Sequence, residues 1–253
     1  MEILGIDVGG SALKGAIVNV DTGEMVTDRI RILTPEGAKP DDMAKVVKEI
    51  VETLKWKGPI GVGFPAIVKK GVAYSAANIH ESWIGTSVSQ TFSKASKCPV
   101  YTGNDADVAG IAEMIFGVGK EYNKGSVVFL TLGTGIGTTL FYDGTMFPNT
   151  ELGHIQIRGK DAEKRASAAQ RTNKNLSYKK WAEHLQEYLV TMENLLSPDV
   201  FILGGGISKD AEKFMPYIQV KAKVIPALLQ NQAGIVGAAY YAKQQLDAGA
   251  PPE

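Results

Sequence analysis

Ile6-Asp7-Val8-Gly9-Gly10-Ser11 ends the first apolar run of this chain, and Leu132-Gly133-Thr134-Gly135-Ile136-Gly137 joins two later apolar runs. Each is a glycine-rich turn where one predicted strand passes into the next, so its backbone N–H groups can converge on an anion. The first turn also carries a carboxylate. Together the two turns indicate a phosphate chain that is held from two sides with a metal between, and they therefore predict phosphoryl transfer.

Composition limits the classes of function that are open to the chain. Its 253 residues include 27 basic and 27 acidic side chains, so the net charge gives no support for binding nucleic acid or a membrane surface. Cys98 is the only cysteine, which excludes a disulfide within the chain and a cysteine-based zinc cluster. Neither a signal segment nor a long apolar run is found. We therefore expect a cytoplasmic protein that does not enter a membrane.

The order of predicted elements repeats in the two halves of the chain. Glycine-joined strands come first in each half, and helices then alternate with strands. Apolar spacing predicts helices over about 40–55, 178–196 and 233–246. This pattern favours an α/β chain of two lobes with a cleft between them. The predicted lobes are residues 1–103 with roughly 240–253, and residues 104–239.

Three segments are candidates for the phosphate side of a site. Asp7 either holds Mg²⁺, directly or through water, or caps a tight turn. Lys14 either reaches a phosphate or is an ordinary solvated lysine. Gly133-Thr134-Gly135 is either a structural turn or a phosphate cradle, and it is not a Walker A loop because no Gly-Lys-Ser/Thr follows. Gly204-Gly205-Gly206 either admits a flat ring or a phosphate close to the backbone, or forms a flexible loop.

Two polar segments are candidates for the acceptor side. Asn104-Asp105-Ala106-Asp107 lies between a predicted strand and a helix that one carboxylate is expected to cap. Asp105 is a candidate general base for a substrate hydroxyl, and Asn104 can bond to adjacent hydroxyls. In Glu151-Leu152-Gly153-His154, the glutamate and histidine can bond neighbouring hydroxyls of a sugar ring. Because zinc at His154 would need further His or Cys ligands, we favour sugar contact and expect no zinc.

These five segments resemble the ROK family of sugar kinases, in the order in which that family has them. The matching segments are Gly5-Ile6-Asp7-Val8-Gly9-Gly10, Asn104-Asp105-Ala106, Gly133-Thr134-Gly135-Ile136-Gly137, Glu151-Leu152-Gly153-His154 and Leu203-Gly204-Gly205-Gly206-Ile207. The resemblance implies a two-lobed, actin/hexokinase-like (RNase H-like) α/β fold with a central cleft. Many members carry a cysteine-rich zinc loop after Glu-x-Gly-His, whereas here Glu163-Lys164-Arg165-Ala166-Ser167 resembles only the end of that stretch. This zinc-free form is similar to the polyphosphate glucokinase branch.

The resemblance also implies a role for individual residues. Asp105 matches the catalytic base. The residues that match sugar ligands are Asn78, Asn104, Asp105, Glu151, His154 and Glu163. The residues expected to bind phosphate or nucleotide are Asp7, which also holds Mg²⁺, and Gly9, Gly10, Ser11, Lys14, Thr131, Gly133, Thr134, Gly135, Gly204, Gly205 and Gly206.

The expected reaction is transfer of a phosphoryl group from inorganic polyphosphate, and also from ATP, to the 6-hydroxyl of glucose with Mg²⁺. Because every phosphate of a polyphosphate chain carries negative charge, we expect additional basic side chains to bind it. The candidates for these contacts are Lys14, Lys69, Lys70, Lys160, Lys164 and Arg165. The alternatives are a strictly ATP-dependent hexokinase or glucomannokinase, and a non-catalytic sugar-binding protein. A sugar-sensing repressor is disfavoured because the stretch before Asp7 leaves no room for a DNA-binding segment. A homodimer is expected by analogy with the family.

Overall fold

The computed structural model describes residues 1–77 and 79–251 of the chain. These residues form two compact units, Met1–Ala112 with Gln232–Glu253, and Glu113–Asn231. The lobe boundaries predicted above stay a prediction. None of the described helices is both long enough and apolar enough to cross a membrane.

The helices include all three that the apolar spacing predicts. The helix predicted over 178–196 is confirmed at both ends, and the other two differ by two residues or fewer. Pro40 begins the first helix, where its missing N–H has no helical partner to lose. The helices are α1 (Pro40–Thr53), α2 (Val88–Ser96), α3 (Asp105–Ile115), α4 (Glu163–Ala166), α5 (Ala168–Asn173), α6 (Tyr178–Leu196), α7 (Ala211–Phe214) and α8 (Ala233–Asp247).

The strands are mostly short and apolar, and they fall into two large sheets and two small ribbons. Their bounds in the first unit are β1 (Glu2–Val8), β2 (Ala12–Asn19), β3 (Glu24–Met25), β4 (Ile30–Leu33), β5 (Ile60–Phe64), β6 (Val68–Lys69), β7 (Val72–Ala73) and β8 (Val100–Asn104). Those in the second unit are β9 (Ser126–Leu132), β10 (Ile136–Tyr142), β11 (Thr145–Thr150), β12 (Gln156–Ile157), β13 (Lys160–Asp161), β14 (Val200–Gly204) and β15 (Lys223–Pro226).

The two large sheets have the same topology. The first has the order β3-β2-β1-β5-β8, with β4 also paired to β2, and the second has the order β11-β10-β9-β14-β15. In each sheet a glycine-joined antiparallel pair, β1–β2 or β9–β10, is followed by two parallel strands. The predicted repeat of topology is therefore confirmed. Because the carboxyl ends of parallel strands share one edge of a sheet, the repeat places each glycine-rich turn at such an edge.

Helix α8 lies directly on the first sheet because the strands beneath it carry glycines. Gly5 and Gly61 pair in register on β1 and β5. A Cβ atom on Gly5 would overlap the carbonyl of Ile235, and one on Gly61 would overlap the carbonyl of Ala238. The absence of side chains at these two positions therefore sets how closely the helix approaches the sheet.

Each unit has its own apolar core, to which aromatic side chains contribute. In the first unit Trp83 packs edge-to-face on Phe64 and Phe92, with ring centroids 4.8 and 5.6 Å away. In the second unit Trp181 packs edge-to-face on Phe214 at 5.0 Å. Such geometry adds to the stabilisation that burial of the rings provides. Each sheet edge is thus part of a well-packed unit.

Candidate active site

Asp7 lies at the end of β1 between two electropositive groups. Lys14 is its cross-strand partner on β2, and the lysine Nζ donates to Asp7 Oδ2 at 2.8 Å. Gly234, at the start of α8, lies on the other side, where an added Cβ atom would come within 2.9 Å of Asp7 Cγ. The positive end of a helix dipole and a lysine both stabilise a carboxylate. Sequence reasoning did not assign Gly234 to the site, although its close approach to Asp7 requires a glycine.

The turn after Asp7 is braced by Thr34. The Thr34 hydroxyl donates to the Gly9 carbonyl at 2.6 Å, and the Thr34 N–H donates to the Ser11 carbonyl at 3.2 Å. Gly9 N–H is bonded to the Ala12 carbonyl at 3.1 Å. Within residues 1–77 and 79–251 no acceptor is hydrogen-bonded to the N–H of Gly10 or Ser11. Those two exposed residues therefore supply the amide donors of this turn.

Asn104 organises the junction between β8 and α3. Its Oδ1 accepts the N–H groups of Ala106 and Asp107 at 2.9 and 3.0 Å, and its Nδ2 donates to the Ala66 carbonyl at 3.0 Å. The predicted carboxylate cap is only part of the arrangement, in which Asp105 Oδ1 accepts the Ala106 N–H at 2.8 Å. Within the residues that the structure describes, the buried Asn104 amide donates one hydrogen bond, to Ala66, and its second N–H has no acceptor.

Asp105 and Asp7 lie at the same edge of the first sheet. Asp7 is the last residue but one of β1, and Asp105 directly follows β8, with β5 between those two strands. Because neighbouring strands are about 4.8 Å apart, the two backbones are separated by about 10 Å at this edge. Gly63 is the β5 residue in register with Asp7, and a Cβ atom there would lie 2.7 Å from Val108 Cγ2 and 3.6 Å from the Cα atom of Asp105. The first unit thus brings the predicted base and the predicted metal ligand to one side of its sheet.

The second unit brings two glycine loops together. Strands β9 and β14 are parallel neighbours, with Thr131 paired to Gly204. Gly205 has φ +83°, and a Cβ atom there would lie 2.5 Å from the Leu132 carbonyl oxygen. A glycine is therefore required where the loop 204–206 lies against the residue that precedes Gly133. The predicted phosphate and nucleotide residues of this unit share one sheet edge.

The loop 133–135 has only two available amide donors. Gly133 N–H bonds to the Gly135 carbonyl at 3.1 Å, and Ile136 N–H bonds to Glu163 Oε2 at 3.2 Å. For Thr134 and Gly135, no N–H acceptor is found in the part of the chain that the structure describes. A phosphate cradle in this unit would therefore use the Thr134 and Gly135 amides, not that of Gly133.

His154 lies among three carboxylates. Its Nε2 is 3.8 Å from Glu151 Oε2, and its Nδ1 is 3.6 Å from Asp161 Oδ2 and 3.8 Å from Glu163 Oε1. Ligand atoms of His154, Asp161 and Glu163 all lie within 4.8 Å of one another. Such a group can bond adjacent hydroxyls or hold a cation. Sequence reasoning missed Asp161, whose position depends on the β12–β13 ribbon. The predicted sugar ligand Asn78 lies outside the described residues.

The acids of this cluster differ in their pKa values. Burial raises the pKa of the Glu151 carboxyl and the neighbouring Glu163 carboxylate raises it further, whereas His154 opposes both effects. Hydrogen bonds from Lys164 and Gln156 lower the pKa of Asp161. As the pH falls, Glu151 is therefore expected to take up a proton before Asp161.

Half of the basic residues proposed to contact polyphosphate already have carboxylate partners. Lys14 is bonded to Asp7, Lys164 Nζ is 3.0 Å from Asp161 Oδ2, and Arg165 Nη2 is 2.7 Å from Glu187 Oε2. In the described ranges Lys69, Lys70 and Lys160 have no ion pair. An anionic polymer would meet less competition at these three lysines.

This chain is similar to proteins of known sequence and structure. A polyphosphate glucokinase of Mycobacterium tuberculosis (strain ATCC 25618 / H37Rv) is 48% identical over 236 residues, which are 93% of this chain and 89% of the relative. The crystal structure of an inorganic polyphosphate/ATP-glucomannokinase from Arthrobacter sp. strain KM has a TM-score of 0.93 and 42% identity, covering 96% of this chain and 99% of that one.

A ROK family glucokinase from Streptomyces griseus, in complex with glucose and AMPPNP, has a TM-score of 0.79 at 22% identity, covering 96% of this chain and 100% of that one. The predicted α/β fold of the actin/hexokinase-like class is confirmed by these two structures. The family model described as "ROK family" matches residues 3–170, which is more than half of the sequence. This chain therefore belongs to the ROK family.

Proposed function

We propose that this protein phosphorylates the 6-hydroxyl of glucose with inorganic polyphosphate as donor, and that it also uses ATP. The observation that carries the proposal is the 48% identity, over 93% of the chain, to a protein named polyphosphate glucokinase. The residues that a phosphotransferase needs are intact: a carboxylate at a helix start, two glycine-rich turns with available amides, and a polar cluster around His154.

Asp105 is the proposed general base. It is the first residue of α3 and directly follows β8, so its carboxylate lies at a junction between a strand and a helix. As the 6-hydroxyl attacks the terminal phosphorus, its proton passes to Asp105 and the bond to the leaving phosphate breaks. Asn104, which lies next to Asp105 in the chain, would hold a neighbouring hydroxyl and so help to fix the attacking oxygen in place. The family resemblance assigns further sugar hydroxyls to Glu151 and His154.

The two glycine-rich turns supply donors for the charge on the phosphoryl oxygens. Their available N–H groups belong to Gly10, Ser11, Thr134 and Gly135. Fixed amide dipoles need no reorganisation as charge develops, which is why such donors stabilise a transition state effectively. The loop 204–206 is proposed for the nucleotide side when ATP is the donor.

Phosphoryl transfer generally uses a divalent metal, and we assign Mg²⁺ to Asp7. The carboxylate is a hard oxygen ligand of the kind that Mg²⁺ prefers. Its Oδ2 accepts a hydrogen bond from Lys14, so Oδ1 is the oxygen left for the metal or for a metal-bound water. Bound there, the ion would neutralise charge on the donor phosphates.

A test measures glucose 6-phosphate formation by the full chain, with Mg²⁺ and either polyphosphate or ATP as sole donor. Turnover with polyphosphate supports the proposal. Turnover with ATP alone would retain the kinase and discard polyphosphate as donor. Glucose binding without product from either donor would contradict the proposal and favour the sugar-binding alternative. The same assay is repeated with mannose as the acceptor, because the similar protein from Arthrobacter is named a glucomannokinase.

We also propose that the protein is a homodimer that uses an apolar groove of the second unit. The groove has a volume of about 550 Å³ and is lined by residues of β9, β10 and β11 and the end of α6. Tyr142 and Phe147, which line it, are 70% and 67% exposed. Asp143 is the one charged residue among those that line it. A second copy of this nearly neutral face can therefore pack on it with little like-charge repulsion, as a two-fold interface requires.

Phe147→Lys is expected to convert the dimer to a monomer, because two added charges would be buried at the interface. Sedimentation velocity of the wild type and the variant measures this. Tyr217→Lys is the matched control, since Tyr217 is 47% exposed in the same unit but does not line the groove. A monomeric wild type, or a variant that remains dimeric, would contradict the assignment.

A further inference from the structure

We propose that Glu163 positions the phosphate-binding loop 133–135, so that one carboxylate links the sugar cluster to the donor loop. The inference rests on the proposed function and deepens it. The resemblance implies only a sugar contact for Glu163, whereas its observed hydrogen bond is made to the glycine-rich turn. Glu163 is thus a positioning residue for the donor in addition to any role with the acceptor.

The carboxylate of Glu163 holds the far end of the loop. Its Oε2 accepts the N–H of Ile136, the first residue of β10, at 3.2 Å. The same oxygen lies so close to Gly135 that a Cβ atom there would overlap it. A side chain at position 135 would therefore displace the carboxylate. The glycine leaves room for this contact, which is a reason for glycine at 135 that does not involve a phosphate.

The near end of the loop is held by the same stretch of chain. Ala169, the second residue of α5, donates its N–H to the Gly133 carbonyl at 3.0 Å. Glu163 begins α4, and α4 and α5 are separated by Ser167 alone. The segment 163–169 thus bonds to both ends of the loop. Its position determines where the Thr134 and Gly135 amides point.

The carbonyl group of Ile136 is packed against the Glu151–His154 turn. A Cβ atom on Gly153 would overlap the Ile136 carbonyl, so the turn approaches β10 at van der Waals distance. His154 Nδ1 is 3.8 Å from Glu163 Oε1, while Oε2 of the same carboxylate bonds to Ile136. Sugar hydroxyls that bond to Oε1 or to His154 would therefore act on a carboxylate that already holds the donor loop.

The test separates donor binding from sugar binding. We would titrate Mg²⁺-polyphosphate, without glucose, into the wild type, Glu163→Ala and Glu163→Gln by calorimetry, and measure the donor KM at saturating glucose. Loss of a charge-assisted hydrogen bond in Glu163→Ala is expected to weaken donor binding about tenfold. Glu163→Gln keeps an acceptor oxygen for the Ile136 N–H, so it should restore most of the lost affinity. A residue that contacts only sugar would leave the donor constants of both variants unchanged, and that result would overturn the inference.

Tyr188→Phe is the matched control. Tyr188 is fully buried, and this burial raises the pKa of its hydroxyl, which the neighbouring Glu163 carboxylate raises further. Within the described residues this hydroxyl has no hydrogen-bond partner. The variant should bind donor like the wild type. Equal weakening in Tyr188→Phe and Glu163→Ala would attribute the effect to packing and sink the inference.

A readout independent of catalysis is the hydrogen exchange of the Ile136 amide. The Ile136 N–H should exchange at least about tenfold faster in Glu163→Ala than in the wild type, because it loses its acceptor. Unchanged exchange would contradict the inference even if the wild type is an active glucokinase. A wild type that forms no glucose 6-phosphate, with faster exchange in the variant, would instead discard the proposed function and keep the structural role.

Discussion

Asp105→Asn is expected to lower the rate of glucose 6-phosphate formation by about 10²–10⁴, the usual contribution of a positioned general base. The amide is nearly isosteric with the carboxylate, and its oxygen can still accept the Ala106 N–H that Asp105 Oδ1 accepts at 2.8 Å. The start of α3 should therefore remain intact. Because the amide cannot take the hydroxyl proton, the loss should appear in kcat, with glucose affinity largely retained.

Asp41→Asn provides the control for the change of charge. Asp41 is an exposed acid in the first turn of α1, so this variant makes the same substitution at another helix start in the same unit. It should retain full turnover. Initial rates and calorimetric glucose titrations of both variants decide the matter, and near wild-type turnover in Asp105→Asn would refute the role of Asp105 as base.

Gly61→Ala is expected to lower the free energy of unfolding by about 3 kcal/mol, at the upper end of the range for overpacked sites. The new Cβ atom would overlap the Ala238 carbonyl and come within 3.0 Å of the Ala239 nitrogen. Both are backbone atoms of α8, so no rotamer change can relieve the overlap. The whole helix would have to move away from the sheet, and the Gly234 contact with Asp7 would open with it.

Gly133→Ala is the control for this prediction, because no atom lies within 4 Å of the position that its Cβ would occupy. Urea denaturation should therefore show the control within about 0.5 kcal/mol of the wild type, as for most surface changes. If Gly61→Ala unfolds at the same urea concentration as the wild type, the close approach of α8 does not have the energetic role that we assign to it.

Much of the fold could be predicted from local pattern. The bounds of α6 follow from the apolar spacing between Ser177, whose hydroxyl accepts the Lys180 N–H, and Ser197. Strand β5 likewise follows from an apolar run that Pro65 closes. Such signals act over a few residues, within a helical turn or a strand pair, so they can be recognised without knowledge of the tertiary structure. The two glycine-rich turns could be found for the same reason.

The candidate site was less accessible to such reasoning. A carboxylate was predicted to cap α3, but the Asn104 amide oxygen accepts two of the N–H groups at the start of this helix. The Asn104 side chain is held in this position because its Nδ2 donates a hydrogen bond to the Ala66 carbonyl. Asp161 joins His154 only because the β12–β13 ribbon returns the chain to it. No local signal indicated either partner.

By itself, the sequence determined the three long helices α1, α6 and α8, the two glycine-rich turns, the repeated topology and the family. Tertiary structure alone decided which amides of those turns stay available, which glycines admit a helix, and that Glu163 bonds to Ile136. The physical reason is the distance along the sequence over which each kind of interaction acts. Propensity and periodicity act between near neighbours, whereas a hydrogen bond between residues far apart exists only after the sheets and helices have packed.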